Sequence, residues 1–144
     1  MRRAFLSAML AAVLNVALVF AQNSTTPPSS AKGQDFVFSV AAGEDWVDTG
    51  IDLYPGDRVH VAGGVIGCAG LTHSDILDLP VRSAPVGALL AKLHLEARPV
   101  LATPDAQPPI IRPSHLYLGV NGWRCPGKIP AKVHLEHSPA TRGQ

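Results

Sequence analysis

The stretch WVDTGIDLYPGDRVHVAGG, Trp46–Gly64, has the pattern of two short strands and the turn that joins them. Apolar or β-branched residues occupy alternate positions in both halves: Val47, Thr49 and Ile51, then Val59 and Val61. Polar residues fill the positions between them, so each half predicts a strand with one buried face and one solvent-exposed face. The intervening Tyr54–Asp57, with its Pro-Gly pair, predicts a tight turn.

Further segments of the same character lie on both sides of this stretch. They are DFVFSV (35–40), GALLAKLHLE (87–96), SHLYLGVN (114–121) and IPAKVHLE (129–136). The chain also has 13 prolines and 13 glycines, which leave little room for long helices. We therefore predict an all-β fold, a small β-sandwich of jelly-roll type, in which only Ala88–Leu95 offers a helical alternative.

The N-terminus has the pattern of a secretory signal peptide over residues 1–21. Arg2 and Arg3 precede an apolar run, and small residues before Gln22 predict cleavage after Ala21. A short membrane anchor is the alternative, but no basic cluster follows the run. The predicted location is therefore secreted or periplasmic, with no membrane span after cleavage.

The rest of the chain divides into a linker, one domain and a tail. Residues 22–33 are rich in Ser, Thr and Pro and predict a disordered linker. Residues 34–138 form the domain, and residues 139–144 form a flexible tail. Loss of Arg2 and Arg3 leaves 10 basic residues against 11 acidic ones, a net charge of −1, so we expect no nucleic-acid partner.

The two cysteines and two similar histidine-containing segments are the candidates for a chemical role. Cys68 and Cys125 are each a disulfide half, a reactive thiol or a metal ligand; an oxidising compartment favours pairing over free thiols. The similar segments AKLHLE (91–96) and AKVHLE (131–136) place His94 and His134 beside Glu and Lys on strand faces. These histidines are metal ligands if the strands are neighbours, or solvated outer-face residues, which the adjacent lysines favour. No catalytic motif occurs, so we predict that the protein is not an enzyme.

Four segments together resemble the PA-IL-like family of calcium-dependent, galactose-binding bacterial lectins. They are WVDTGIDLYPGDRVHVAGG (46–64), APVGALLAKL (84–93), HLYLGVN (115–121) and Pro126-Gly127 before the last strand. The resemblance spans nearly all of the predicted domain. It implies a small galactose-binding-domain-like jelly roll that binds a terminal sugar at one edge through a calcium ion.

The resemblance also implies that the calcium site is degenerate in this chain. Asn121 matches a family asparagine, but Gly122 replaces the aspartate that follows it, and the loop Trp123–Pro126 holds no Asn or Asp. A hard cation needs several anionic oxygens, so we expect no bound metal or other cofactor. Cys68 and Cys125 fall in the two loops that the ion joins in relatives, which implies a disulfide in place of the metal.

The same resemblance suggests where a glycan would bind. The candidate sugar-binding residues are His73, Ser74 and Asp75, in the loop that contacts sugar in relatives, with Asn121 and Trp123. Trp123 is interpreted either as a stacking platform or as a residue that packs on the disulfide, and Trp46 as a core residue. The expected function is a calcium-independent or degenerate lectin-like domain. The alternative is a structural or interaction sandwich that has lost its sugar.

Overall fold

The computed structural model describes residues 33–43, 45–105 and 109–139. The predicted signal peptide, the linker up to residue 32 and the last five residues of the tail lie outside these ranges. The described elements are β1 (Gly33–Ala41), β2 (Val47–Leu53), β3 (Arg58–Ala62), α1 (His73–Leu77), β4 (Leu89–Lys92), β5 (Val100–Leu101), β6 (Ser114–Val120) and β7 (Lys128–Glu136).

These strands form two antiparallel sheets. One sheet has three strands in the order β1-β7-β3, and the other has four in the order β2-β6-β4-β5. In the first sheet β7 lies in the centre, where Val133 pairs with Phe36 on one side and with Val61 on the other. The prediction of an all-β sandwich is therefore confirmed.

The core lies between the inner faces of the two sheets. In β7 the alternation is complete: Ile129, Ala131, Val133 and Leu135 are buried, and the residues between them are exposed or half-buried. The other strands of the core add Val40, Ile51, Leu53, Val59, Val61, Leu89, Ala91, Leu116, Leu118 and Val120. Burial of each large aliphatic side chain contributes about 1.5–3 kcal/mol, so this core supplies the main driving force for folding.

The predicted turn at Tyr54–Asp57 is present and is tied to the end of β7. The Asp57 backbone N–H donates to the Tyr54 carbonyl at 2.9 Å, and Gly56 has a φ of +89°, which glycine adopts without strain. The buried Asp57 carboxylate accepts from the backbone N–H groups of Tyr54 and Ser138, each at 2.9 Å. Burial alone would raise the pKa of Asp57, but the hydrogen bonds from Ser138, Tyr54 and His137 outweigh it and hold the pKa below its usual value.

The structure differs from the sequence prediction over residues 87–96. The strand predicted over residues 87–96 covers only β4, and His94 lies in the turn that follows it. Because β4 and β7 belong to different sheets, the two similar segments are not neighbouring strands, and the strand-pair metal site is not formed.

Another difference is α1, a helix that the alternating pattern does not predict. Its N-terminus is a capping box, in which the Thr72 hydroxyl accepts from the Asp75 N–H and the Asp75 carboxylate accepts from the Thr72 N–H. Ala88–Leu95, the segment that offered a helical alternative, holds β4 instead. Of the helices in the described part of the chain, none has the length and apolar character needed to cross a bilayer.

Candidate functional site

A disulfide between Cys68 and Cys125 joins two loops at one edge of the sandwich. Their Cα atoms lie 4.6 Å apart, inside the range of about 4.4–6.8 Å that a disulfide requires. Cys68 belongs to the loop after β3, and Cys125 to the loop between β6 and β7. The predicted bridge is confirmed, and we call this end of the molecule the bridged edge.

Asn121 fixes a third loop to the same edge. Its side chain is fully buried at the end of β6. The amide oxygen accepts from the Val81 N–H at 3.1 Å, while the amide nitrogen donates to the carbonyls of Val81, Ala84 and Pro85 at 2.9, 3.0 and 3.1 Å. The amide of this candidate sugar-binding residue is therefore used in hydrogen bonds within the fold, which hold residues 81–85 against the sheet.

The candidate residues His73, Ser74 and Asp75 lie on α1 and not in an irregular loop. His73 and Ser74 are exposed, whereas Asp75 is buried. The Asp75 carboxylate accepts from the N–H and the hydroxyl of Thr72, both at 2.7 Å, and lies 3.4 Å from Nε of Arg124. The Thr72 hydrogen bonds and the Arg124 charge hold the pKa of Asp75 below its usual value. Asp75 therefore links α1 to the loop that carries Cys125.

An open cleft of about 440 Å³ lies beside the bridged edge. Its lining residues are Gly43, Asp45, Trp46, Pro80, Gly119, Val120 and Trp123. Trp46 and Trp123 are the only tryptophans of the chain, and 39% of the Trp123 surface is exposed. The structure thus brings the predicted Trp123 together with Trp46, and we call this site the two-tryptophan cleft.

The placement of Trp46 corrects its interpretation as a core residue. It is half-buried and packs on the outer side of the four-stranded sheet, where a Cβ at position 119 would lie only 2.8 Å from its ring. Nζ of Lys92 lies 4.2 Å from the centroid of the same ring, which is a cation–π contact. Contacts with Gly119 and Lys92 therefore set the position of the Trp46 ring in the cleft.

Lys92 itself is buried on this outer side. Its ammonium donates to the Leu95 carbonyl at 2.7 Å. Burial lowers the pKa of Lys92, and the negative charge of Glu96 acts in the opposite direction. The ammonium therefore contacts the Trp46 ring and the Leu95 carbonyl.

A polar cluster that the sequence did not predict lies on the outer face of the four-stranded sheet. His115 Nε2 lies 2.6 Å from Asp48 and Nδ1 lies 2.6 Å from Asp52. Two carboxylates on the two ring nitrogens favour the imidazolium form: the Asp48 and Asp52 hydrogen bonds raise the pKa of His115, and His115 lowers the pKa of Asp48. We call these three residues the Asp-His-Asp cluster.

The local backbone explains how one histidine meets two aspartates. Asp52 pairs with His115 in the β2–β6 register, whereas Asp48 pairs with Tyr117. The register shifts between the aspartates, where Gly50 has a φ of +69°. Both carboxylates are therefore cross-strand or diagonal neighbours of one ring, a relation that becomes visible only when the register is known.

The bridged edge does not fit the calcium ion that the lectin resemblance implies. The Asn121 oxygen faces an N–H donor, and Asp75 is paired with a guanidinium, so neither is placed to ligate a cation. Across residues 33–43, 45–105 and 109–139, no group of three or more His, Cys, Asp or Glu side chains is arranged to hold a metal ion.

No protein-family model, curated protein or solved structure matches this chain. The resemblance to PA-IL-like lectins therefore rests on the sequence motifs, and membership of that family stays a prediction.

Proposed function

We propose that this chain is an exported, calcium-independent carbohydrate-binding domain that holds a sugar in the two-tryptophan cleft. The observation that carries the proposal is the pair of tryptophans on the wall of one open cleft. Export is supported by the N-terminal sequence pattern, which lies outside the described residues.

The chemistry of the cleft suits a pyranose ring. One face of such a ring presents C–H groups, which stack on an aromatic plane, and its hydroxyls need polar partners at the rim. Trp123 offers the exposed plane, and Asp45 offers an acceptor. A volume of about 440 Å³ falls within the usual range of about 300–1,000 Å³ for small-molecule sites.

The cleft is also built to keep its shape. Trp123 lies two residues before Cys125, whose sulfur is bonded to the loop after β3. Pro80 adjoins the segment that Asn121 holds through its amide hydrogen bonds. A site that is already ordered loses less conformational entropy when a ligand binds, and this favours measurable affinity from few contacts.

Intrinsic fluorescence tests the proposal directly, because both tryptophans of the chain line the cleft. Titration with galactose and a panel of neutral monosaccharides should change the emission, with and without a calcium chelator. Trp123→Ala should weaken binding about fivefold to tenfold, as expected for the loss of one stacking contact; isothermal calorimetry measures this variant.

The matched control is Tyr54→Ala, which removes an aromatic ring that is 43% exposed in the turn before β3 and outside the cleft. This variant should bind as the wild type does. If no glycan on an array binds the folded protein, the carbohydrate proposal is rejected, and the structural or interaction role takes its place.

A further inference from the structure

We infer that the two-tryptophan cleft prefers sugars that carry a protonated amino group, the 2-amino-2-deoxyhexoses, over neutral and acidic sugars. This inference rests on the proposed function, because it assigns a ligand class to the same cleft. It depends on the charge of the cleft, which Asp45 determines.

Asp45 is the one ionisable side chain among the described residues that line the cleft. It is exposed, and it forms no hydrogen bond or ion pair with any residue in the described ranges. Its carboxylate is therefore available to a ligand.

The cations beside the cleft are already engaged. The Lys92 ammonium lies on the Trp46 ring, donates to the Leu95 carbonyl and has Glu96 as its nearby carboxylate. Arg124, which follows Trp123, is paired with Asp75. Lys92 is thus held by the ring and a carbonyl, and Arg124 by a carboxylate, while Asp45 is the charged residue on the described cleft lining.

An amino sugar matches the two components of this site. Its ring presents C–H groups to Trp123, and its ammonium group makes a charge-assisted hydrogen bond to the Asp45 carboxylate. Aromatic faces also attract a cation, so the exposed Trp123 favours the same ligand. A uronic acid presents a carboxylate to Asp45 and is repelled, which gives selectivity as well as affinity.

The experiment compares galactosamine, galactose, N-acetylgalactosamine and galacturonate by tryptophan fluorescence at mildly acidic pH and low salt. Galactosamine should bind about fivefold more tightly than galactose, the upper end for a solvent-exposed ion pair. N-acetylgalactosamine, which has no ammonium, should bind like galactose, and galacturonate should bind most weakly. High salt should reduce the preference for galactosamine, because it screens the exposed charges.

Asp45→Asn keeps an oxygen acceptor but loses the charge, so galactosamine and galactose should bind this variant equally. Asp105→Asn, which neutralises another exposed aspartate that does not line the cleft, should keep the wild-type preference. If Asp45→Asn retains the full preference, or if the wild type binds galactosamine and galactose equally, the inference is overturned while the carbohydrate proposal stands.

Two further outcomes test the premise separately. If none of the four sugars binds, the proposed function fails and the inference fails with it. Binding of tetramethylammonium without binding of galactose overturns both in another way, because the cleft is then an aromatic site for cations and not for sugars.

Discussion

The bridged edge and the Asp-His-Asp cluster are held together by different physical means. At the bridged edge a covalent bond and the buried Asn121 amide fix three loops, and neither depends on a proton near neutral pH. On the outer face, His115 meets two exposed carboxylates, so these contacts change with protonation. The edge that carries the candidate site should therefore respond to redox conditions, and the outer face to pH.

The largest expected effect comes from breaking the disulfide. The bond closes a sequence separation of 57 residues, for which the loop-entropy model gives about 4 kcal/mol, with a usual range of about 2–5 kcal/mol for native bridges. Urea unfolding with and without a reductant measures this loss. Cys68→Ser, Cys125→Ser and the double variant should have about the same stability, because either change alone removes the bond.

The equality of these variants also separates the bond from local packing. Cys125 is buried and Cys68 is half-buried, so a purely steric role would make the Cys125 variant alone costly. A double variant whose loss equals the sum of two different single losses would contradict the disulfide as the stabilising element.

The next effect is expected at Asn121, which holds the same edge without a covalent bond. Asn121→Ala leaves the Val81 N–H and three carbonyls without their side-chain partner, and we expect a loss of about 3 kcal/mol, since each unsatisfied buried group costs about 1–3 kcal/mol and water re-enters partly. Denaturant unfolding of the oxidised protein measures it.

Asn121→Asp is the matched variant of the same shape. It keeps the oxygen that accepts from Val81 but turns a carboxylate oxygen towards the three carbonyls. It should be at least as unstable as the alanine variant at neutral pH and should recover stability in mild acid, when the carboxyl becomes a donor. Equal stability of Asn121→Asp and the wild type at neutral pH would show that the amide nitrogen contributes nothing.

The two regions also differ in how far the sequence could predict them. Period-two alternation in β2, β3 and β7 follows from burial of one face, so the sandwich was predictable from residues such as Val59 and Val61. The pairing of Cys68 with Cys125 followed from the resemblance to a family in which an ion joins the same loops.

The remaining features depend on register and on tertiary packing. The Asp-His-Asp cluster requires the bulge at Gly50 and the β2–β6 pairing, neither of which a single sequence reveals. The position of Trp46 depends on Gly119, which lies 73 positions away in the chain and leaves room for the ring. The capping box of α1 was the one local signal that was present and missed, since Thr72 and Asp75 have its spacing.

The smallest expected effect is the pH response of the Asp-His-Asp cluster. Because the folded-state pKa of His115 is raised, its contribution to stability is fully present below the ordinary histidine pKa of about 6.5 and is lost as pH rises through the raised value. The carboxylates are exposed and screened, so the change should be smaller than either effect at the bridged edge. An NMR titration of the ring protons should place the His115 pKa above about 6.5, and Asp48→Asn should lower it.

His134 is also paired with an aspartate and has a raised pKa, so the stability measurement must compare the wild type with His115→Gln across the same pH range. The wild type should lose its advantage over His115→Gln as pH rises, and a constant difference between the two proteins would show that the contact between His115 and its aspartates does not depend on the histidine charge.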